Sequence, residues 1–333
     1  MQITKPDYFD RFRCLAGSCP DSCCREWEVQ VDEDAAVRYR ALPGVLGDDL
    51  RAALRDADGE TFLTLSGGRC PMWREDGLCR IQAEVGEADL CRTCREYPRL
   101  THDYGDFQEL GLELSCPEAA RLILQGGSFL TEEVPGSGAA EYDGDAMVLL
   151  KDSRRQVMAL LDGTRPIGRT LALVLLYGCQ VQGELDGGEA AHFDPEAALA
   201  TAEKLAQPGE TGKFLSVFQS LEILTHRWKV RLRHPEPGDW DPRTLLLARY
   251  FVSRYWLQAV SDYDLYSRVK FLVIACLLLR ELGGDFAETA QLFSKEIEND
   301  PDNMDALLDA AYNQPAFTDR RLLGMLLRPE SAS

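Results

Sequence analysis

The chain has 333 residues and a mass of 37.2 kDa, enough for one large domain or two ordinary ones, and its 45% hydrophobic, 27% charged composition with mean hydropathy −0.24 is globular. Against 55 acidic side chains stand 36 basic ones, a net charge of −19 and a pI of about 4.7. Such a surface repels phosphate backbones and anionic lipid, which argues against nucleic-acid and membrane partners. The longest apolar run, residues 271–279, falls short of the roughly 20 residues needed to span a bilayer. With no apolar signal core among the opening residues either, a cytoplasmic protein is expected.

Alternation of apolar and polar residues predicts strands at 27–31, 61–65 and 107–114. Asp32, followed by Glu33 and Asp34, marks a helix start with acidic residues in its first turn. A helix over 88–96 would set Cys91 and Cys94 three residues apart on one face, with Pro98 ending it. Pro117 is a good first residue for a helix to about 125. The Gly126-Gly127-Ser128 and 134–138 stretches read as a break. Beyond it the period changes to 3.6, predicting helices at about 143–162, 167–182, 195–206, 211–231, 242–260, 263–282, 285–298, 302–312 and 317–327. No fixed-period repeat is visible, which favours a bundle over a solenoid. The expected architecture is an α+β cysteine-rich unit over 1–130, followed by an all-α domain over 140–333, predominantly helical overall.

Of eleven cysteines, nine lie in the first 116 residues: Cys14, Cys19, Cys23, Cys24, Cys70, Cys79, Cys91, Cys94 and Cys116. Cys179 and Cys276 sit in apolar runs and read as small buried hydrophobes. For the nine, a disulfide framework suits short secreted chains better, and inert buried thiols would not crowd together in this way. A thiolate-bound metal site in a reducing compartment fits best. Only Cys91-Arg-Thr-Cys94 has the zinc-knuckle form. Adjacent side chains diverge, so Cys23 and Cys24 suit different irons or different sites, or one lies outside the metal shell. Nine thiols exceed what one 4Fe-4S cluster takes. The radical S-adenosylmethionine pattern Cys-x3-Cys-x2-Cys fails at Glu26.

No glycine-rich phosphate cradle follows a strand, and the four histidines form no close metal-binding pair. His102 is an ordinary polar histidine or an extra member of the thiol site. Arg92, Arg95 and Arg99 flank the Cys91–Cys94 turn and would stabilise thiolates, hold a substrate or cofactor carboxylate, or form surface ion pairs. Tyr97-Pro98 is either a packed turn or a phenol near the chemistry.

Several of these segments together resemble the bacterial flagellin lysine-N-methylase family. They are Tyr8-Phe-Asp-Arg-Phe-Arg-Cys14, Cys19-x3-Cys23-Cys24 with Trp27 following, Cys70-x8-Cys79-Arg-Ile81, Leu90-Cys-Arg-Thr-Cys-Arg-Glu-Tyr-Pro-Arg99 and Ser115-Cys-Pro-Glu-Ala-Ala-Arg121. The resemblance is dense over about 6–121 and extends to the wider group of cysteine-rich zinc- or iron-chelating proteins. It implies an enzyme that methylates flagellin lysines with S-adenosylmethionine, assisted by a 4Fe-4S cluster. The family's cysteine positions carry over to all nine, and Arg95, Tyr97 and Arg99 match it as candidate cofactor contacts. No residue is singled out as catalytic. The alternatives are a non-catalytic zinc-binding interaction module, or an iron–sulfur redox protein.

Overall fold

A computed structural model describes residues 1–136 and 138–329. Ser137, inside the predicted 134–138 loop, and residues 330–333 lie outside the described residues. In chain order the first third runs β1 (Gln2–Pro6), β2 (Val29–Val31), α1 (Glu33–Ala41), α2 (Gly44–Ala53), β3 (Leu54–Ala57), β4 (Glu60–Leu63), α3 (Arg80–Glu84), α4 (Arg92–Glu96), β5 (Arg99–Asp103), β6 (Phe107–Leu112), α5 (Pro117–Ile123) and β7 (Phe129–Glu133). Helices then follow one another: α6 (Gly144–Leu160), α7 (Ile167–Leu185), α8 (Pro195–Leu205), α9 (Thr211–Gln219), α10 (His226–Arg233), α11 (Thr244–Tyr255), α12 (Leu265–Leu282), α13 (Phe286–Phe293), α14 (Pro301–Asn313) and α15 (Asp319–Leu326). The mixed first third and the helical remainder are as expected from the change of period.

Two sheets form. β2, β4 and β3 pair antiparallel in that order. The other sheet has the order β5-β6-β1-β7, with β1 parallel to β6 and antiparallel to β7. β7 lies in the stretch read as a break, between its two glycine-containing turns. Its side chains are all exposed, so no alternation marks it; its backbone pairing with the chain's first strand creates it.

Buried apolar side chains form two clusters. The smaller gathers Val29, Val31, Tyr39, Leu50, Leu63 and Ile81 together with Cys70 and Cys91, and packs against Cys24, Trp27, Trp73 and Cys79. The larger includes Tyr8, Phe12, Leu112, Leu114 and Cys116 as well as the helices around α12. Almost every residue of α12 is buried, so other elements surround it on all sides. Gly178 on α7 permits a close crossing, since a Cβ there would lie 2.7 Å from both Val269 methyl groups.

Two predicted helices break. The 211–231 segment is two helices because the backbone between them is captured elsewhere. Glu296 accepts from the Leu224 and Thr225 N–H groups at 2.8 Å, and the Thr225 hydroxyl caps α10 by accepting from Trp228 N at 3.1 Å. The 285–298 segment is α13 followed by a π-helical turn over Ser294–Glu298, a distortion that often marks functional positions. Lys295 and Glu296 on this turn are almost fully buried, and the Glu298 side chain is 0% exposed.

Candidate functional site

Of the nine early cysteines, Cys24, Cys70, Cys79 and Cys91 lie in or against the smaller core, whereas Cys116 is part of the larger one. The Cys70 N–H donates to Cys24 O at 2.9 Å and Glu26 N to Gly68 O at 3.0 Å, pinning the 19–26 loop to the 66–70 turn. Cys91 precedes α4 in an extended conformation instead of lying within a helix. Its N–H donates to the Tyr39 hydroxyl at 2.8 Å, and Asp32 accepts from Arg92 N at 2.6 Å while also capping α1 through Ala35 N. These captures explain why the helix predicted over 88–96 begins only at Arg92. Cys116 stands at the start of α5, with Pro117 as its first residue, as the sequence predicted.

Electrostatic contacts divide the thiols into two sets that meet at Cys23-Cys24. Cys14, Cys19, Cys23 and Cys116 act on one another. Cys70 and Cys79 both feel Cys24 and Cys91, while Cys94 feels Cys91, Cys23 and Cys24. Hydrogen bonding from Cys23 lowers the Cys24 thiol's pKa, and bonding from Cys94 lowers that of Cys91; the donor of each pair is held protonated. Burial pushes Cys70 up to about 12 and Cys116 to about 11. Among the described residues, however, no three His, Cys, Asp or Glu side chains are arranged to hold a metal ion. A common centre is not evident among the described residues, although the thiols act on one another electrostatically. Cys23 and Cys24, expected to diverge toward different partners, are instead hydrogen-bonded to each other through their side chains.

The remaining candidates are dispersed. Arg95 is 3.9 Å from Glu96 at an exposed position. Tyr97 packs edge-on against Trp27 at 5.9 Å, and its hydroxyl lies 3.0 Å from the Ser115 hydroxyl. The Arg99 guanidinium lies 5.1 Å from the Phe12 ring. Each of the three thus has a different neighbour. His102 sits on β5, where the charges acting on it are Arg254 and Glu109, not a thiol.

A buried polar network escaped the sequence reading. Lys295, 1% exposed, donates to Asp21 at 3.0 Å and Glu26 at 2.7 Å, and lies 4.9 Å from the Trp27 ring centre. Gln291 donates to Asp21 at 3.0 Å and to Ser115 O at 2.7 Å. Lys295 on the π turn and Gln291 on α13 thus clamp the loop bearing Cys19, Cys23 and Cys24 and the residue beside Cys116. Next to it, Glu298 accepts from the Tyr255 hydroxyl at 2.7 Å and from Tyr250 at 3.1 Å, with Arg254 at 3.3 Å. Burial raises the pKa of Glu113, whose carboxylate accepts from Ser115 at 3.3 Å. In sequence, Lys295, Glu296 and Glu298 look like an exposed helix face. The available signal was their place between the apolar positions of 286–293 and the Asp300-Pro301 helix start.

The chain is 33% identical to the lysine-N-methylase of Salmonella typhimurium over 129 residues, 37% of this chain and 32% of that protein. It is 31% identical over 129 residues to the flagellar biosynthetic protein FliU of Salmonella muenchen, and here the match covers 76% of the relative. The chain belongs to the FliU family. A lysine-N-methylase of Salmonella choleraesuis is also 31% identical, again over 32% of its length. This FliU-family chain therefore matches about a third of each of those lysine-N-methylases. No family model matches it, and no solved structure does.

Proposed function

We propose that this chain acts in methylating lysine side chains of flagellin, with S-adenosylmethionine as the methyl donor. The carrying observation is its identity to proteins named lysine-N-methylase, together with that to a flagellar biosynthetic protein. The thiol-rich region is compatible with this reading. A lysine amine is protonated near neutral pH and must lose its proton before attacking a methyl group. Glu113, a half-buried carboxyl with raised pKa between the Cys116 loop and the Arg254 cluster, is suited to receive that proton. The acidic surface would attract a lysine-bearing partner.

In donor chemistry the thiols suit iron or zinc; in arrangement they would have to turn toward a common point to bind either. Cys14, Cys19, Cys23 and Cys116 form one candidate ligand set, and Cys24, Cys70, Cys79, Cys91 and Cys94 the other. A bound 4Fe-4S cluster would supply an iron that holds the amino and carboxylate groups of the donor.

The test is purification without oxygen, iron and sulfide analysis, and incubation with flagellin and S-adenosylmethionine labelled at its methyl group. Label on flagellin lysines, dependent on iron, is the expected result. A colourless zinc protein that transfers no label would overturn the proposal.

A further inference from the structure

A cavity of about 370 Å³ lies between the β5-β6-β1-β7 sheet and helices α6 and α11, separate from the thiols. That volume lies within the range of small-molecule sites. Leu100, Ile123, Met158 and Leu246 contribute apolar wall. Glu109, the carboxylate of the lining, is already bound by Arg154 through two hydrogen bonds of 2.6 and 2.7 Å.

Of the lining's guanidinium and imidazole groups, Arg154, Arg155 and Arg254 pair with Glu109, Asp152 and Glu298, and two remain. The Arg249 guanidinium lines the cavity and donates to the Met158 carbonyl at 3.3 Å. Among the described residues it has no carboxylate within ion-pair distance. The other donor is His102, whose Nε2 is buried and lacks a partner among the described residues. Its tautomer follows from its neighbour. The Gln258 amide nitrogen, oriented by its 2.9 Å bond to Arg254 O, lies 3.4 Å from His102 Nδ1 and can only donate. Nδ1 is therefore the acceptor and Nε2 carries the proton. A buried N–H without an acceptor is costly and is satisfied by a ligand that brings one.

We propose that this cavity binds a small organic carboxylate with an apolar body, its carboxylate held by Arg249 and His102 Nε2–H and its body against the leucine, isoleucine and methionine wall. A guanidinium pairs naturally with a carboxylate, and an imidazole N–H supplies the second donor. The lining's guanidinium excess disfavours a cation such as a lysine side chain. The inference stands independently of the methyl-transfer reading.

Titration calorimetry of the full chain with decanoate and with decanol tests it. Decanoate binding at least tenfold tighter than decanol is expected. Arg249→Met should reduce decanoate binding to the decanol level, and Met158→Trp, which fills the space, should abolish binding of both while circular dichroism stays unchanged. Failure of both ligands to bind, equal binding of the two by the unaltered chain, or decanoate binding unaffected by Arg249→Met would overturn the proposal. Competition with S-adenosylhomocysteine distinguishes the carboxylate's source. Retention of decanoate is expected, because the amino-acid end of that molecule carries an ammonium group that this lining disfavours; displacement would overturn the proposal of an acid with an apolar body. Loss of decanoate binding in Arg249→Met without loss of flagellin labelling would separate this site from the proposed reaction.

Discussion

The region around the smaller core and the helical body are held together differently. In the body, Phe251 and Phe293 pack against Phe271 of α12 and Trp256 is almost fully buried, and burial dominates. The smaller cluster contains short strands, small helices and several cysteines among its packing residues, and much of its order comes from captured backbone groups such as Cys91 N and Arg92 N. The Lys295–Asp21–Glu26 clamp joins the body to the thiol loop. The contrast teaches that one region can stand on apolar area, whereas the other depends on polar contacts, some of them reaching across the seam.

The largest expected effect comes from breaking that seam. Lys295→Met removes one partner of a buried ionic cluster and should cost about 3–5 kcal/mol in urea unfolding. Asp21 keeps its ion pair with Arg227 at 2.9 Å and its hydrogen bond from Gln291, so the loss falls mainly on Glu26 and the seam. Truncation in the body should be comparable: Phe293→Ala is expected to cost about 3–5 kcal/mol and to shift the whole transition.

Leu50→Ala, in the smaller cluster, should cost about 2–5 kcal/mol. It sharpens the comparison if alkylation of Cys70 and Cys91, read by mass spectrometry, begins at lower urea than the loss of helical circular dichroism. Simultaneous loss would show that the two regions unfold as one unit.

A smaller effect follows from His102. Burial first, then Arg254, lowers its pKa below the ordinary 6.5, while Glu109 acts the other way. Protonation therefore favours the unfolded chain. The contribution is fully favourable above pH 6.5 and is lost as pH falls below it, with a slope of at most about 1.4 kcal/mol per pH unit. His102→Phe should flatten that part of the stability–pH curve measured by urea titration. The smallest change is expected at Arg155, 78% exposed and paired with an exposed Asp152: Arg155→Ala should alter stability by no more than about 0.5 kcal/mol.

Local chemistry was readable wherever it was carried by neighbouring residues. Asp32 and Cys116-Pro117 mark helix starts that the structure contains because caps and first-turn prolines act within a few residues. The side-chain hydrogen bond between Cys23 and Cys24 ran against the divergence expected of adjacent side chains. His102 could not be assigned in the same way, since Gln258, Arg254 and the cavity wall reach it from distant segments. Nor could Arg95, Tyr97 and Arg99 be assigned to a shared cradle from proximity in sequence: one lies beside Glu96, one packs on Trp27 and one on Phe12.

By itself the sequence determined the mixed first third, the long helical remainder, most helix starts and the concentration of thiols, because periodicity, caps and composition are local properties. Only the tertiary structure decided that β7 pairs with β1, that the 211–231 helix is broken by Glu296, and that Lys295 holds the thiol loop from a π turn. Each of these joins groups far apart along the chain, and hydrogen bonds or ion pairs between them exist only once the packed core brings their elements together.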